Sequence, residues 1–312
     1  MTSTQVEQIP HNATDQHLHV SVVNGTPTAV EPSQNELLHS DERCTPNGTH
    51  LFRSYDTASD MVRKTYALNH KYQTLDYVLE QKNKYIKRLK TKKGPNKSIW
   101  EVLEYLSTFH DESDPDTESS QMIHAIQSAE AARQKGHPEW FQVTLLVHDL
   151  GKYMSLLDGL PQWSVVGDIF PVGAAPAKSI VYHEYFAENP DFASEDSKYN
   201  TKLGIYEEHC GFENLHFSVG HDDYLYQVLS HNTHNLPEEA LYLIRYHSFY
   251  PWHRDFSYDH FASEKDFKMR EKLQQFSQCD LYSKTDVVDS LDNLTTRYKA
   301  LLEKYFPENL HW

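Results

Sequence analysis

The chain has 312 residues, enough for one large domain or two small ones at ~150 residues per domain. A mean hydropathy of −0.70, with no apolar run near the ~18 residues a membrane span needs, excludes a transmembrane helix. With 29 Lys and Arg against 45 Asp and Glu, the formal charge of −16 repels phosphate backbones, so nucleic acid and membrane surfaces give way to small or metal-bound ligands as expected partners.

Residues 1–50 are rich in Ser, Thr, Asn, Gln and Pro and lack an apolar period, which predicts a disordered N-terminal tail. Its five histidines, His11, His17, His19, His39 and His50, read as solvated. From residue 51 to 312 the composition becomes globular and reads as a single domain. Residues 81–97 hold eight Lys and Arg and no acid, and read as a solvated helix end running into the Gly94-Pro95 turn. Residues 98–109 form an amphipathic helix, 111–116 an acidic loop, and 122–135 a helix whose apolar face carries Ile123, Ile126 and Ala129. Pro138 suits a first helical turn, and the helix through 140–147 is expected to end at Gly151, with His148 and Asp149 at its C-terminal end. Residues 160–203 concentrate Pro and Gly and read as loops with short helical turns. Helical patterning returns over 220–230, 238–247, 265–282 and 291–305. Without repeats or strand-helix alternation, the expected fold is mostly α.

Cys44, Cys210 and Cys279 are an odd number with no Cys-x-x-Cys pair, which argues against a disulfide framework. The N-terminus also lacks a secretory signal, so a reducing, cytoplasmic compartment is expected. Cys279 reads as a small buried helix residue rather than a ligand. Tyr250, Trp252 and Trp163 read as core aromatics.

The chemistry concentrates in His148-Asp149-Leu150-Gly151-Lys152. An imidazole and a carboxylate at one helix end can turn toward one centre, and a carboxylate can bridge two cations where an imidazole cannot. Gly151 permits close backbone approach and Lys152 offers an anion partner. His124 lies in an otherwise apolar helix upstream, and Asp280 in the helix 265–282 downstream. The order His, His-Asp, Asp resembles the HD-domain superfamily, which implies an all-helical bundle whose metal ligands come from separate helices. Four further stretches, residues 111–116, 161–168, 220–226 and 245–253, extend the likeness, as does the run 280–284 that begins at Asp280. Together these strings resemble the myo-inositol oxygenase family over roughly residues 51–312.

That resemblance implies two iron ions in a mixed-valent Fe(II)/Fe(III) pair. His124, His148, Asp149 and Asp280 would serve one, His221 and His247 the other, with Asp149 bridging. It implies Asp149 and Lys152 as catalytic residues. Arg53 from an N-terminal lid, Asp111, Glu112, Ser113, Lys152, Gly167, Asp168, His247 and Ser248 are implied around the substrate. The implied reaction opens the myo-inositol ring with O2 to give D-glucuronate, in a chain expected to be monomeric. The alternatives are an HD-type metal-dependent phosphohydrolase, against which the extra His221/His247 pair counts, and a non-catalytic sensor of iron or inositol.

Overall fold

Helices begin where the sequence supplies a capping hydroxyl. Ser59 opens α1 (Asp60–Tyr72) by accepting from the Val62 N–H, Thr74 opens α2 (Leu75–Lys90), and Ser120 opens α4 (Gln121–Gln134). Ser98 and Glu101 form a reciprocal capping box at the start of α3 (Ile99–Leu106). Such caps satisfy N–H groups that no helical carbonyl can reach. The helices α5 (Glu139–Val147) and α8 (Glu238–Tyr246) start directly after Pro138 and Pro237, which fix the backbone angle at the helix start but cap no N–H.

The computed structural model describes residues 55–56, 58–115, 120–194, 197–281 and 291–312, together with two two-residue strands, β1 (Cys44–Thr45) and β2 (Gly48–Thr49), paired antiparallel. The remaining elements are β3 (Asn96–Lys97), α6 (Tyr153–Asp158), α7 (His221–Ser230), α9 (Tyr250–His253), α10 (Glu264–Leu281), α11 (Leu291–Tyr305) and β4 (Leu310–His311). The expectation of a mostly α fold holds. No described helix is long and apolar enough to cross a membrane. The expected tail and its histidines lie outside the described residues, apart from the backbone of those two strands.

Helix α4 packs against α5, α7 against α8, and α10 crosses both α4 and α8. One apolar cluster gathers Val78, Leu103, Val143, Leu146, Leu229 and Trp312; a second gathers Phe212, Phe249, Trp252, Phe261 and Phe276. The C-terminus is tied into the first: β4 pairs antiparallel with β3, and the buried Trp312 indole donates to Lys97 O at 3.1 Å. Loop-rich structure over 160–203 is found as expected, as 3₁₀ turns such as Gln162–Ser164 and His183–Glu188. It is fastened to α1, where His70 reaches Val181 O at 2.7 Å and stacks on Phe186 at 4.1 Å.

Three local expectations fail. Gly151 does not end the helix: α5 gives way to a 3₁₀ turn, His148–Lys152, which runs on into α6, and Gly159 at φ +62° is the residue that stops it. Ile123 is 40% exposed, because the core takes Ile126 and Ala129 while the packed neighbours of α4 leave Ile123 outward. The basic run is only partly solvated: Lys82 and Arg88 turn inward to the carboxylates of Asp223 and Asp158, while Lys84, Lys87, Lys90, Lys92 and Lys93 are exposed.

Candidate metal centre

The 3₁₀ turn His148–Lys152 presses against the start of α7. A Cβ on Gly151 would lie 1.9 Å from the carbonyl oxygen of His221, so only glycine lets the turn approach closely enough to bring Asp149 to the first residue of α7. From there the side chains converge. His124 comes from α4, His247 follows the last turn of α8, and Asp280 stands near the end of α10. Helices from separate parts of the chain thus deliver polar side chains to one interior point.

The two oxygens of Asp149 face different sets of imidazoles. Oδ2 lies 3.7 Å from His124 Nε2 and 3.5 Å from His148 Nε2, and those nitrogens are 2.9 and 3.2 Å from Asp280 Oδ1. Oδ1 lies 3.2 Å from His221 Nε2 and 3.8 Å from His247 Nε2, and those two nitrogens are 3.1 Å apart. Donors ~2.1 Å from a common cation sit about 3.0 Å apart at right angles and about 3.4 Å apart in a tetrahedron, so both sets have ligand spacing. Groups of metal-competent atoms within 4.8 Å of one another include His124/His148/Asp280 and His148/Asp149/His247.

The rings are oriented from behind. His148 Nδ1 donates to Leu145 O at 2.6 Å, His221 Nδ1 to Val165 O at 2.9 Å and His247 Nδ1 to Ile244 O at 2.8 Å. A carbonyl only accepts, so Nδ1 carries a proton; Nε2 can then donate to Asp149 when the ring is charged, and offers its lone pair to a cation when the ring is neutral. Burial alone would raise the Asp149 pKa. The charge of His148 and Lys152, with hydrogen bonds from His221 and His247, outweighs it and holds the carboxyl well below its ordinary range. Asp280 is likewise held low, burial being overcome by His148 and His124. Burial would lower His148 and His247, but the acids beside them raise both. Carboxylates kept ionised in a buried place need positive charge, which protonated imidazoles or bound cations can supply.

Lys152 is buried, with Nζ 2.7 Å from Asp111 Oδ2, 2.9 Å from Asp149 Oδ2 and 2.9 Å from Gln121 Oε1. Its burial penalty is outweighed by the two acids, which raise its pKa above the ordinary lysine value. Asp111 accepts from the backbone N–H and hydroxyl of Ser113 at 2.8 and 2.6 Å. A cleft open at its mouth is lined by Lys152, Asp111 and Ser113 together with Gly167, Asp168, Ser248 and the six candidate ligands. Of the residues named from the sequence, Glu112 stays outside the lining; its backbone N–H is tied to Gln162. Arg53 lies outside the described residues.

Sequence reasoning missed several neighbours. Tyr55 and Tyr66 line the cleft, their hydroxyls 3.2 Å apart and that of Tyr66 3.4 Å from Asp168 Oδ1. Tyr250, expected in the core, is buried yet also lines the cleft, whereas Trp252 is core throughout. Tyrosine is common along this chain, so nothing in its spacing separates a wall from a core. Asp222 stands behind His221 and His247, and the one available signal was its place directly after His221. His209 and His216 stay out of the cleft, and Cys279, as expected, is buried on α10.

A family model described as myo-inositol oxygenase matches residues 59–312. Inositol oxygenase 5 of Arabidopsis thaliana is 47% identical, over 84% of this chain and 83% of its own length. The inositol oxygenase of Dictyostelium discoideum is 43% identical, over 91% of this chain and 99% of its own. That of Mus musculus is 43% identical, over 84% and 90%. With a family match over most of its length and relatives covered nearly end to end, the chain belongs to the myo-inositol oxygenase family.

Proposed function

We propose that the protein is an inositol oxygenase that cleaves the ring of myo-inositol between C1 and C6 with one O2, giving D-glucuronate and water without an external reductant. The single observation carrying the site assignment is the double face of Asp149, one oxygen toward His124 and His148 and the other toward His221 and His247. His124, His148 and Asp280 would hold one iron, His221 and His247 a second, and Asp149 would bridge. An all-nitrogen-and-oxygen donor set suits redox-active non-haem iron better than a structural zinc, for which cysteine is the usual recruit. The bound metal pair supplies redox chemistry with O2 and Lewis acidity toward substrate hydroxyls.

The chain's own residues orient and charge the substrate. Lys152, an ammonium held beside Asp149 and Asp111, stabilises negative charge on a hydroxyl oxygen brought to the cleft. Asp111, Ser113, Asp168 and Ser248 offer directional acceptors and donors, which a polyol with a hydroxyl on every carbon requires. Tyr55 and Tyr66 line the cleft and take up space that water would otherwise fill beside the reacting atoms. The free thiols of Cys210 and Cys279 suit a reducing cytoplasm.

The test is an oxygen electrode run with iron-loaded protein and myo-inositol, with parallel assays for D-glucuronate and for phosphate release from simple esters. One D-glucuronate per O2, with no phosphate release, is expected. Phosphate release without O2 uptake would replace this reading with a phosphohydrolase.

A further inference from the structure

Asp222 follows His221 in the first turn of α7 and is fully buried. Its Oδ1 lies 3.0 Å from His247 Nδ1 and accepts the backbone N–H of Ser248 at 3.1 Å. Its Oδ2 lies 3.5 Å from His221 Nδ1 and has no hydrogen bond of its own. Among the described residues its only ion-pair partners are these two imidazoles; no lysine or arginine comes near. A buried carboxylate with no cation is costly and is kept where something else neutralises it.

Both rings turn Nε2 toward Asp149, so Asp222 meets only their opposite edges. It cannot share the ion those Nε2 atoms would hold, although the three residues form a compact group of metal-competent atoms. On the other half of the centre, His148 Nδ1 is backed by the neutral carbonyl of Leu145. His221 and His247 have carbonyls of the same kind behind them, Val165 O and Ile244 O, but only they have a carboxylate at that edge as well. A carboxylate behind a ligating imidazole fixes its tautomer, increases its electron donation and strengthens its hold on a cation.

We infer that Asp222 is a positioning residue that sets the affinity of the His221/His247 half of the centre and, through the Ser248 N–H, ties that half to the wall of the substrate cleft. The inference rests on the proposed assignment of His221 and His247 as ligands. Charge placed on the two rings by a bound ion is what neutralises Asp222, so ion binding and the burial of Asp222 support one another.

The test titrates metal-depleted, full-length protein with Co(II), followed by visible absorption and calorimetry, for wild type, Asp222→Asn and Asp280→Asn. Asn keeps the size and one acceptor for the Ser248 N–H but removes the charge. Two ions should bind to wild type, and in Asp222→Asn one of the two should weaken by about 10–100-fold while the other is unchanged. In Asp280→Asn the opposite ion should weaken. Thermal unfolding of the metal-free proteins adds a readout that a merely structural role would move the other way: Asp222→Asn should be at least as stable as wild type without metal, and gain less from Co(II). Equal weakening of both ions, or wild-type affinity for both, overturns the role of Asp222. Loss of metal-free stability does the same. Failure of wild type to bind two ions overturns the ligand assignment itself.

Discussion

Replacing Lys152 by Met removes one ammonium and keeps nearly the same length of chain. In the protein that ammonium is buried and lies 2.7 Å from Asp111 and 2.9 Å from Asp149, so the variant leaves two buried carboxylates without their cation. Removing one partner of a buried pair destabilises by about 3–5 kcal/mol, mostly the penalty of the stranded charge. A metal-free urea titration should therefore lose about that much, and the loss should shrink when metal is bound, because a cation then neutralises Asp149. Adding Asp111→Asn to Lys152→Met should recover part of the loss, which measures the coupling in a double-mutant cycle. The sign with pH also follows: burial lowers the Lys152 pKa, the two acids raise it by more, and a raised value contributes stability that is present below the unfolded pKa of ~10.4 and fades only as pH rises through the folded one. A change below about 0.5 kcal/mol in metal-free protein would refute the view that Lys152 is what permits Asp111 and Asp149 to be buried together.

Gly151→Ala places a methyl group against the His221 carbonyl, where no flexible side chain can give way. Unfolding free energy should fall by about 3 kcal/mol, with loss of the ion on the His221/His247 side by metal analysis; unchanged stability would mean the turn and α7 are not in such close contact. His70 provides a pH prediction away from the centre. Burial lowers its pKa to about 4, against the hydrogen bond to Val181 that raises it and with His183 lowering it further. Its neutral form therefore contributes stability above about pH 6.5 that is lost as pH falls toward 4, about 2 kcal/mol between pH 7.5 and pH 5. Urea titrations at both pH values should show His70→Gln with a pH difference smaller by that amount, and an identical difference in variant and wild type would contradict it.

Many helix positions were legible because periodicity is local, although α1 and the first half of α2 are not among the spans that it marked. The span of α11 follows from its apolar pattern alone, and the loop-rich stretch over 160–203 from its Pro and Gly. The six candidate ligands were legible through the resemblance, His124, His148, Asp149 and Asp280 by their order along the chain and His221 and His247 by the strings around them. What escaped depends on distant partners. Gly151 looks like a helix stop until the His221 carbonyl is seen 1.9 Å from where its Cβ would be. Lys82 reads as solvated until Asp223, from α7, comes within 3.5 Å. Gln121, at the first residue of α4, acquires meaning only from the lysine on the 3₁₀ turn that it accepts from. Asp222 is one acid among 45 until two rings place their far edges against it.

The bridging position of Asp149 is tested most directly by iron-loaded crystals measured at the iron absorption edge. Two anomalous peaks are predicted, one among His124, His148 and Asp280 and one between His221 and His247, each touching a different oxygen of Asp149. A single peak, or two peaks with Asp149 bound to only one, would contradict it.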